Sequence, residues 1–428
     1  MACYIFVMSS GKKKYDVIVI GGGASGMMAA GRAAQRGKSV LLLEKNAGVG
    51  KKLDITGGGR CNITNAEFDR HAFAKHYGTA EQFLYSPLSQ FGVQDTFDFF
   101  AERGLPLIVE ARKRAFPETQ KSPDVTRVMK KYLTDAGPGG GAGVVVMTKA
   151  AVKGLTIAGN RILEAKTSQG TFAADTFIIS TGGVSHPETG STGDGFKWLT
   201  ELGHSVLPST PTIVPLKVKE AWVKPLAGVS LSFMKITFFA DGKRAFSKTG
   251  KILFTHFGLS GPLILNSASA VAELLKNAEV TATIDMYPDT DFAALERQII
   301  AKMDVNKNKD FKNVLAEVVP HGLSKAILEL LALPNPNVKA HSVTKEERKR
   351  LVHLLKGAPL TISGLMGFDR AVISDGGVPL TEVDTRTMRS LKIENLYLTG
   401  DILHINRPSG GYSLQLAWTT GFVAGSSV

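Results

Sequence analysis

An α/β fold, interrupted by an insertion and completed by the C-terminus, is what this 428-residue chain predicts. Three observations predict it. Residues 16–26, DVIVIGGGASG, run a short apolar strand straight into a glycine turn. Two further strand-like segments, residues 176–180 (TFIIS) and 395–401 (NLYLTGD), each end beside glycines, with β-rich and helical sequence between them. The last 18 residues, 411–428, read as a helix with small residues on one side.

The first unit has the spacing Gly21-x-Gly23-x-x-Gly26, a helical run from 24 to about 36, and a second strand at 39–43 that ends on Glu44. Each part has a physical job in dinucleotide binding. Gly21 makes the tight turn, Gly23 lets backbone approach a pyrophosphate, and Gly26 lets helix and strand pack closely. The helix N-terminus offers unpaired N–H groups and a positive dipole end. Glu44 is placed to accept hydrogen bonds from an adenosine ribose.

Helical segments follow at 94–103 and 122–133. The stretch 137–143, GPGGGAG, leads into strand-like VVVMT rather than a helix, so it reads as a turn and not as a second nucleotide loop. Short strands at 144–152, 161–167 and 171–173 suit a small antiparallel meander. From about Pro208 alternating strands such as 230–240 run to about 290, and 291–356 is mostly helical and amphipathic. The expected domains are therefore 1–205 and 359–428, two parts of a nucleotide-binding domain, with a β-rich insertion at 206–290 and a helical one at 291–358.

Composition is that of a globular chain, 43% apolar and 21% charged, with 45 glycines. No apolar run reaches the ~18 residues of a membrane helix, and the N-terminal YIFVM (residues 4–8) is too short for a signal segment. Cys3 and Cys61 are far apart, which argues against a disulfide framework and for a reducing cytoplasm. The net charge of +13 favours polyanionic partners such as RNA, or an anionic small substrate. Arg112, Lys113 and Arg114 are the candidates for phosphate contact, whereas KEERKR at 345–350 reads as a solvated helix face.

Four more segments carry chemistry. Gly57–Gly59, in KKLDITGGGRCNITN, would admit a flat ring or phosphate against bare backbone, with Arg60, Cys61 and Asn62 next in line. The loop pair at 181–195 follows a buried strand. Asp401 closes another strand, where a carboxylate could bind ribityl or ribose hydroxyls. Arg407-Pro-Ser-Gly-Gly411 opens the last helix, whose N-terminus would stabilise negative charge on a reduced flavin. This second helix N-terminus favours FAD over NAD.

In combination GGGASGMMAA, GGGRCNITN, GGVSHPETGSTGDG, ILFTHFGLSGP and the closing GDxLxxxxPSGGYSLQxAWxTGxVAG resemble the bacterial BaiN/RdsA, or aminoacetone-oxidase-like, flavoprotein family, from about residue 15 to 425. The resemblance implies a glutathione-reductase-like Rossmann FAD domain interrupted by an inserted β-rich plus helical substrate domain. It implies FAD contacts at Gly21, Gly23, Gly26, Glu44, Lys52, Gly58, Arg60, Cys61, Thr181, Gly182, Asp401, Gly411 and Leu414. Family activities include amine oxidation, reduction of unsaturated bile-acid intermediates, and reduction of a ribosomal RNA uridine to dihydrouridine, so the substrate stays open. Many relatives carry Glu, Asp, Gly and Asn where this chain has Asp401, His404, Arg407 and Ser413. His404 and Arg407 would make the site more basic and favour an anionic substrate.

The expected chemistry is hydride transfer through flavin N5, with a protein group moving the proton. Cys61, His404 and His256 are the candidate proton donors. NAD(P)H is the expected transient reductant, docking over the flavin without a Rossmann unit of its own. The histidines show no ligand spacing, and no metal or membrane is expected. Three functions compete: an FAD enzyme reducing a base in ribosomal RNA, an FAD oxidoreductase of a small amine or unsaturated carbonyl compound, and a non-catalytic FAD-binding module.

Overall fold

The computed structural model describes residues 14–135, 143–335 and 337–428. Cys3, the 4–8 segment and most of the GPGGGAG stretch lie outside them. The described chain divides into two compact units, one from Pro211–Val372 and the other from the preceding chain together with Ile373–Val428.

The nucleotide-type unit is built on parallel strands. Lys14–Ile20 pairs with Val40–Leu43 on one side and Gly170–Ile179 on the other, and Val145–Met147 lies beyond Val40–Leu43. Leu396–Leu398 adds at the far side of Gly170–Ile179, so the C-terminal return completes this sheet. All four residues of Val40–Leu43 are buried, as is the C-terminal half of Lys14–Ile20. Such unbroken apolar runs are what a parallel sheet covered on both faces requires. Two expectations change here. Val145–Met147 is a parallel edge strand of this sheet rather than part of a meander. Residues 171–173 and 176–179 belong to one strand, which ends just before Ser180; its first half pairs antiparallel with Arg161–Thr167 and its second half lies in the parallel core.

The first helix, Ala24–Gln35, packs along the last, Tyr412–Ser427. Small residues make this possible. A Cβ on Gly421 would fall 2.4 Å from Ser25 O, and one on Gly425 2.4 Å from Ala29 O. The two helix backbones therefore touch, which brings the C-terminal return onto the glycine-turn unit.

The inserted unit holds a closed six-stranded barrel in the order Leu216–Val218, Gly258–Ser260, Lys243–Thr255, Ser230–Ala240, Val280–Asp285 and Ala358–Leu365. Ile236, Phe238 and Phe254 fill its interior in one apolar cluster with Phe311, Ile327 and Leu355 from the helices. The strands of 206–290 and the helices of 291–358 thus share one core. The boundary expected at 359 falls inside Ala358–Leu365, because that strand closes the barrel, and the return begins at Ile373. Among the described residues no helix is long and apolar enough to cross a membrane, and no cluster of three or more His, Cys, Asp or Glu could hold a metal ion.

Candidate functional site

The glycine turn separates packing from opening. Gly21 has φ +105°, and a Cβ there would sit 2.5 Å from Ser180 O; a Cβ on Gly26 would sit 1.9 Å from Gly21 O. Both positions are closed by the protein itself. A Cβ on Gly23 would meet nothing within 4 Å, and Gly23 caps the first helix without any side-chain hydrogen bond to its N–H groups. That is the geometry an anion needs to reach a helix N-terminus. Glu44 is buried: its Oε2 accepts the Gly22 N–H at 2.8 Å, and its Oε1 accepts from Asn46 N and Nδ2 at 2.7 and 2.8 Å.

The triple glycine forms an exposed bend with φ of +62°, +68° and +86° at Gly57, Gly58 and Gly59, and a Cβ on Gly58 or Gly59 would face open space. Arg60 does not project freely from it. Its Nε donates to Gln120 at 2.5 Å, its Nη2 pairs with Glu110, and its guanidinium lies 4.0 Å over the Phe116 ring. Asn62 joins this box to the last helix: its amide donates to Thr64 O at 3.0 Å and accepts the Gly411 N–H at 3.0 Å. Gly411, at φ +105°, is forced by contact, since a Cβ there would fall 2.2 Å from the Thr64 carbonyl carbon. Thr64 Oγ1 donates to Gln415 at 2.6 Å, and Tyr77 OH donates to Tyr412 O at 2.9 Å. Leu414, one residue earlier than Gln415, is half-buried.

Lysines fasten the 181–195 loop pair. Lys45 Nζ reaches Asp194 at 2.7 Å, Lys51 donates to Glu188 O at 2.6 Å, and Lys52 donates to Ser185 O at 2.7 Å. Burial lowers the Lys52 pKa, opposed by the Asp401 and Glu188 carboxylates nearby. Gly182 stands at φ +73°. Thr181 Oγ1 is buried without a hydrogen-bond partner and packs against Gly195, where a Cβ would fall 2.2 Å from it.

Asp401 is held by Arg407, whose Nη2 donates to its Oδ1. The same guanidinium donates to Ile405 O at 2.7 Å and to Ser413 Oγ at 3.0 Å, and its side chain is only 1% exposed. Arg407 therefore does not make the site more basic, as its position in the sequence implied; it cancels a carboxylate. Its pairing left no trace in the sequence, because the partners stand six positions apart in mostly irregular backbone. The Lys45 and Lys51 contacts were missed as well, although both lysines border segments already singled out.

The three proposed proton donors stand in different local settings. Cys61 is fully buried in the apolar core at φ +60°, and burial, aided by Asp54, pushes its thiol pKa far up. That removes it as a proton donor to any substrate, because the thiol faces packed side chains. His256 is exposed in the turn between Lys243–Thr255 and Gly258–Ser260 of the inserted unit, against Phe257. His404 is half-exposed, three residues beyond Asp401, with Nδ1 at 3.1 Å from Asp375 Oδ1 and 3.2 Å from the Gly376 nitrogen. The basic 111–121 loop is partly neutralised: Lys113 pairs with Glu67, and Arg114 lies 4.0 Å from Glu110.

A parallel sheet in this order, a glycine turn feeding a helix N-terminus, an acid ending the second strand and a C-terminal helix closing on the same unit define a Rossmann-type flavoprotein oxidoreductase. The chain belongs to the HI0933-like protein Rossmann domain family, whose model matches residues 15–427. It is 30% identical to a 3-dehydro-bile acid delta(4,6)-reductase of Clostridium scindens, over 95% of this chain and 97% of that one. It is 26% identical to a ribosomal RNA dihydrouridine synthase of Escherichia coli, over 96% and 97%. Among solved structures it is similar to a 3-ketosteroid-delta4-(5alpha)-dehydrogenase of Rhodococcus jostii, with a TM-score of 0.55, 14% identity and 98% of both chains covered.

Proposed function

We propose that this protein is an FAD-dependent reductase of carbon–carbon double bonds conjugated to a carbonyl, and that its substrate is a uridine in ribosomal RNA, reduced to dihydrouridine in the cytoplasm. The observation that carries the cofactor assignment is the open Gly23 at the N-terminus of the first helix, where no side chain caps the N–H groups. The reaction class is supported by what the two named reductive relatives share. A 3-oxo steroid with Δ4,6 unsaturation and a uracil ring both present a double bond conjugated to a carbonyl.

In this reading the first helix N-terminus with Gly21, Gly23 and Gly26 holds the pyrophosphate, and Glu44 takes the adenosine ribose. Lys52, Gly58, Arg60 and the Cys61 backbone wall the ring system, with Thr181 and Gly182 opposite. Asp401 takes a ribityl hydroxyl, and Gly411 and Leu414 present the last helix N-terminus, whose positive end offsets negative charge. FAD when bound supplies hydride transfer through N5, and NAD(P)H is the reductant that replenishes it. His404 is the proton donor: the Gly376 N–H and Asp375 both lie at its Nδ1 and fix the ring, leaving Nε2 to deliver a proton to the carbon next to the carbonyl.

A second reading, reduction of a small unsaturated carbonyl compound or oxidation of an amine, is favoured by the higher identity to the bile-acid reductase than to the RNA enzyme, 30% against 26%. Mass spectrometry of ribosomal RNA from cells with and without the gene tests the choice. Loss of one dihydrouridine, restored by purified protein with NAD(P)H, is the expected result. Unchanged RNA together with NAD(P)H-dependent reduction of a steroid dienone would establish the second reading.

A further inference from the structure

Lys113 and Arg114 lie beside acids, whereas a second basic surface stands without them. The hairpin formed by Ser230–Ala240 and Lys243–Thr255 carries Lys235, Lys243, Arg244, Lys248 and Lys251 against one acid, Asp241. None of these five cations has a carboxylate within 4 Å among the described residues, and Asp241 is engaged in accepting the Glu279 N–H at 2.9 Å.

Register decides which of them share a face. Met234, Ile236 and Phe238 point into the barrel, so Lys235 and Thr237 point out, opposite Thr249 and Ser247. Thr237 and Ser247 hydroxyls meet at 2.9 Å, and Arg244 Nη2 donates to Ser247 Oγ at 3.1 Å, so the Arg244 head lies over this outer face. Lys251 stands across from the bulge between Leu231 and Met234. Asp285, beside Lys235 on the other side, is taken by Lys356 at 2.8 Å. Lys248 Nζ instead donates to Asn266 O at 2.8 Å and is not counted in the stripe. The outer face is therefore a stripe of cations and hydroxyls.

At the end of the stripe the bulge presents Phe233, 74% exposed at φ +58°. A bulky residue in the left-handed region is uncommon, and here the strained backbone sets an aromatic ring in water. Beside it lies an open groove of about 500 Å³, lined in part by Gly228, Ser230, Ser232, Met234, Pro320 and His321. Cations that meet phosphates, an aromatic face for stacking and a groove rimmed by hydroxyls are the parts of a single-strand nucleic-acid site.

We propose that the outer face of this hairpin, with Phe233 as its stacking platform, is the docking surface for single-stranded RNA. The proposal rests on the RNA reading above and names the surface through which that substrate is held. Three groups divide the work: Lys235, Arg244 and Lys251 contact phosphates, Phe233 stacks on a base, and the groove accepts its neighbour.

The test is fluorescence-anisotropy binding of a labelled oligouridine of about 12 nucleotides to the purified holoprotein across a salt series. Lys235→Glu/Arg244→Glu/Lys251→Glu should weaken binding at least tenfold and flatten the log–log salt slope by about 2. Phe233→Ala should weaken it about fivefold or more and leave the slope unchanged. Lys349→Glu/Arg350→Glu, on the exposed face of Lys345–Gly357, should bind within twofold of the parent. Circular dichroism and flavin content show that each variant is folded, and Phe233→Ala serves alone if the triple variant is not. Parent-like binding by Phe233→Ala and the triple variant, or equal damage from the control pair, overturns the surface. Dihydrouridine formation that survives in the triple variant at unchanged KM sinks the surface while the RNA reading stands. A parent protein that neither binds RNA nor forms dihydrouridine sinks both.

Discussion

Glu44 reaches back across the glycine turn and accepts the Gly22 N–H at 2.8 Å. The acid that ends the second strand therefore shapes the turn before any ribose is bound, and Asn46 secures its other oxygen. Removing a buried acceptor leaves a buried donor unpaired, at about 1–3 kcal/mol. Glu44→Ala should destabilise the apoprotein by that amount, and Glu44→Gln, which keeps one acceptor oxygen, by less. Chemical denaturation of flavin-free protein measures this. An apoprotein whose stability ignores Glu44→Ala would mean that the residue serves the ligand alone.

Gly23 and Gly26 should fail differently. A side chain at Gly23 meets only open space at an extended backbone position, so Gly23→Val is expected to fold while losing the yellow cofactor. Gly26→Ala drives a methyl to within 1.9 Å of Gly21 O and should not accumulate as folded protein. Far-ultraviolet dichroism and flavin absorbance separate the two outcomes. A stoichiometrically flavinylated Gly23→Val would refute the pyrophosphate assignment.

These two residues also show what was legible beforehand. The turn, first helix and second strand form one short local unit whose spacing is dictated by the ligand, so sequence alone located them. Ala358–Leu365 was misplaced because its barrel partners Val280–Asp285 and Leu216–Val218 are remote in sequence, and a lone apolar strand does not declare which sheet it joins. Cys61 follows the triple glycine, but adjacency says nothing about direction. Its left-handed backbone goes with a thiol sealed in the core. Arg407 and Asp401 lie in irregular chain, where no periodicity links partner to partner.

Elsewhere in the nucleotide-type unit, a buried relay sets a pH dependence. His204 Nδ1 lies 2.7 Å from Glu382, and its Nε2 lies 2.9 Å from Ser390 Oγ, which also accepts the Lys392 and Ile393 N–H groups at 3.0 and 2.9 Å. With both lone pairs of Ser390 occupied, its hydroxyl donates to Nε2, so His204 is neutral and this serine is no nucleophile. Burial lowers the His204 pKa below its usual 6.5, against the pull of Glu382. For Glu382, burial acts to raise the pKa, but Lys392, Ser205 and His204 together bring it down to about 2. Both groups are depressed in the folded state, so the unfolded chain binds more protons as pH falls, and stability drops. The loss should begin below about pH 6.5 through His204 and deepen below about 4.5 through Glu382. Thermal melts from pH 8 to 4 should show a fall of several degrees that His204→Asn makes shallower between pH 7 and 5. An identical pH profile in that variant would remove the relay as the cause.

The Arg407–Asp401 pair offers the sharpest probe of the cofactor site. Arg407 spans the end of the returning strand segment and the first turn of the last helix through Asp401, Ile405 O and Ser413. Deleting one member of a buried ion pair strands the other, at about 3–5 kcal/mol, whereas removing both can be nearly neutral. If Asp401 lies at the proposed flavin site, Arg407→Leu should leave it there as an unmatched carboxylate. We expect weaker FAD retention and a flavin midpoint potential shifted negative, since an added negative charge disfavours reduction. Asp401→Asn should shift the potential positive, through an unmatched guanidinium. The double variant Arg407→Leu/Asp401→Asn should return the potential close to the parent value even if affinity for FAD stays reduced. Spectroelectrochemistry on the loaded variants reads the sign directly. Equal potentials in both single variants would place this ion pair away from the flavin ring and confine its role to holding the last helix in place.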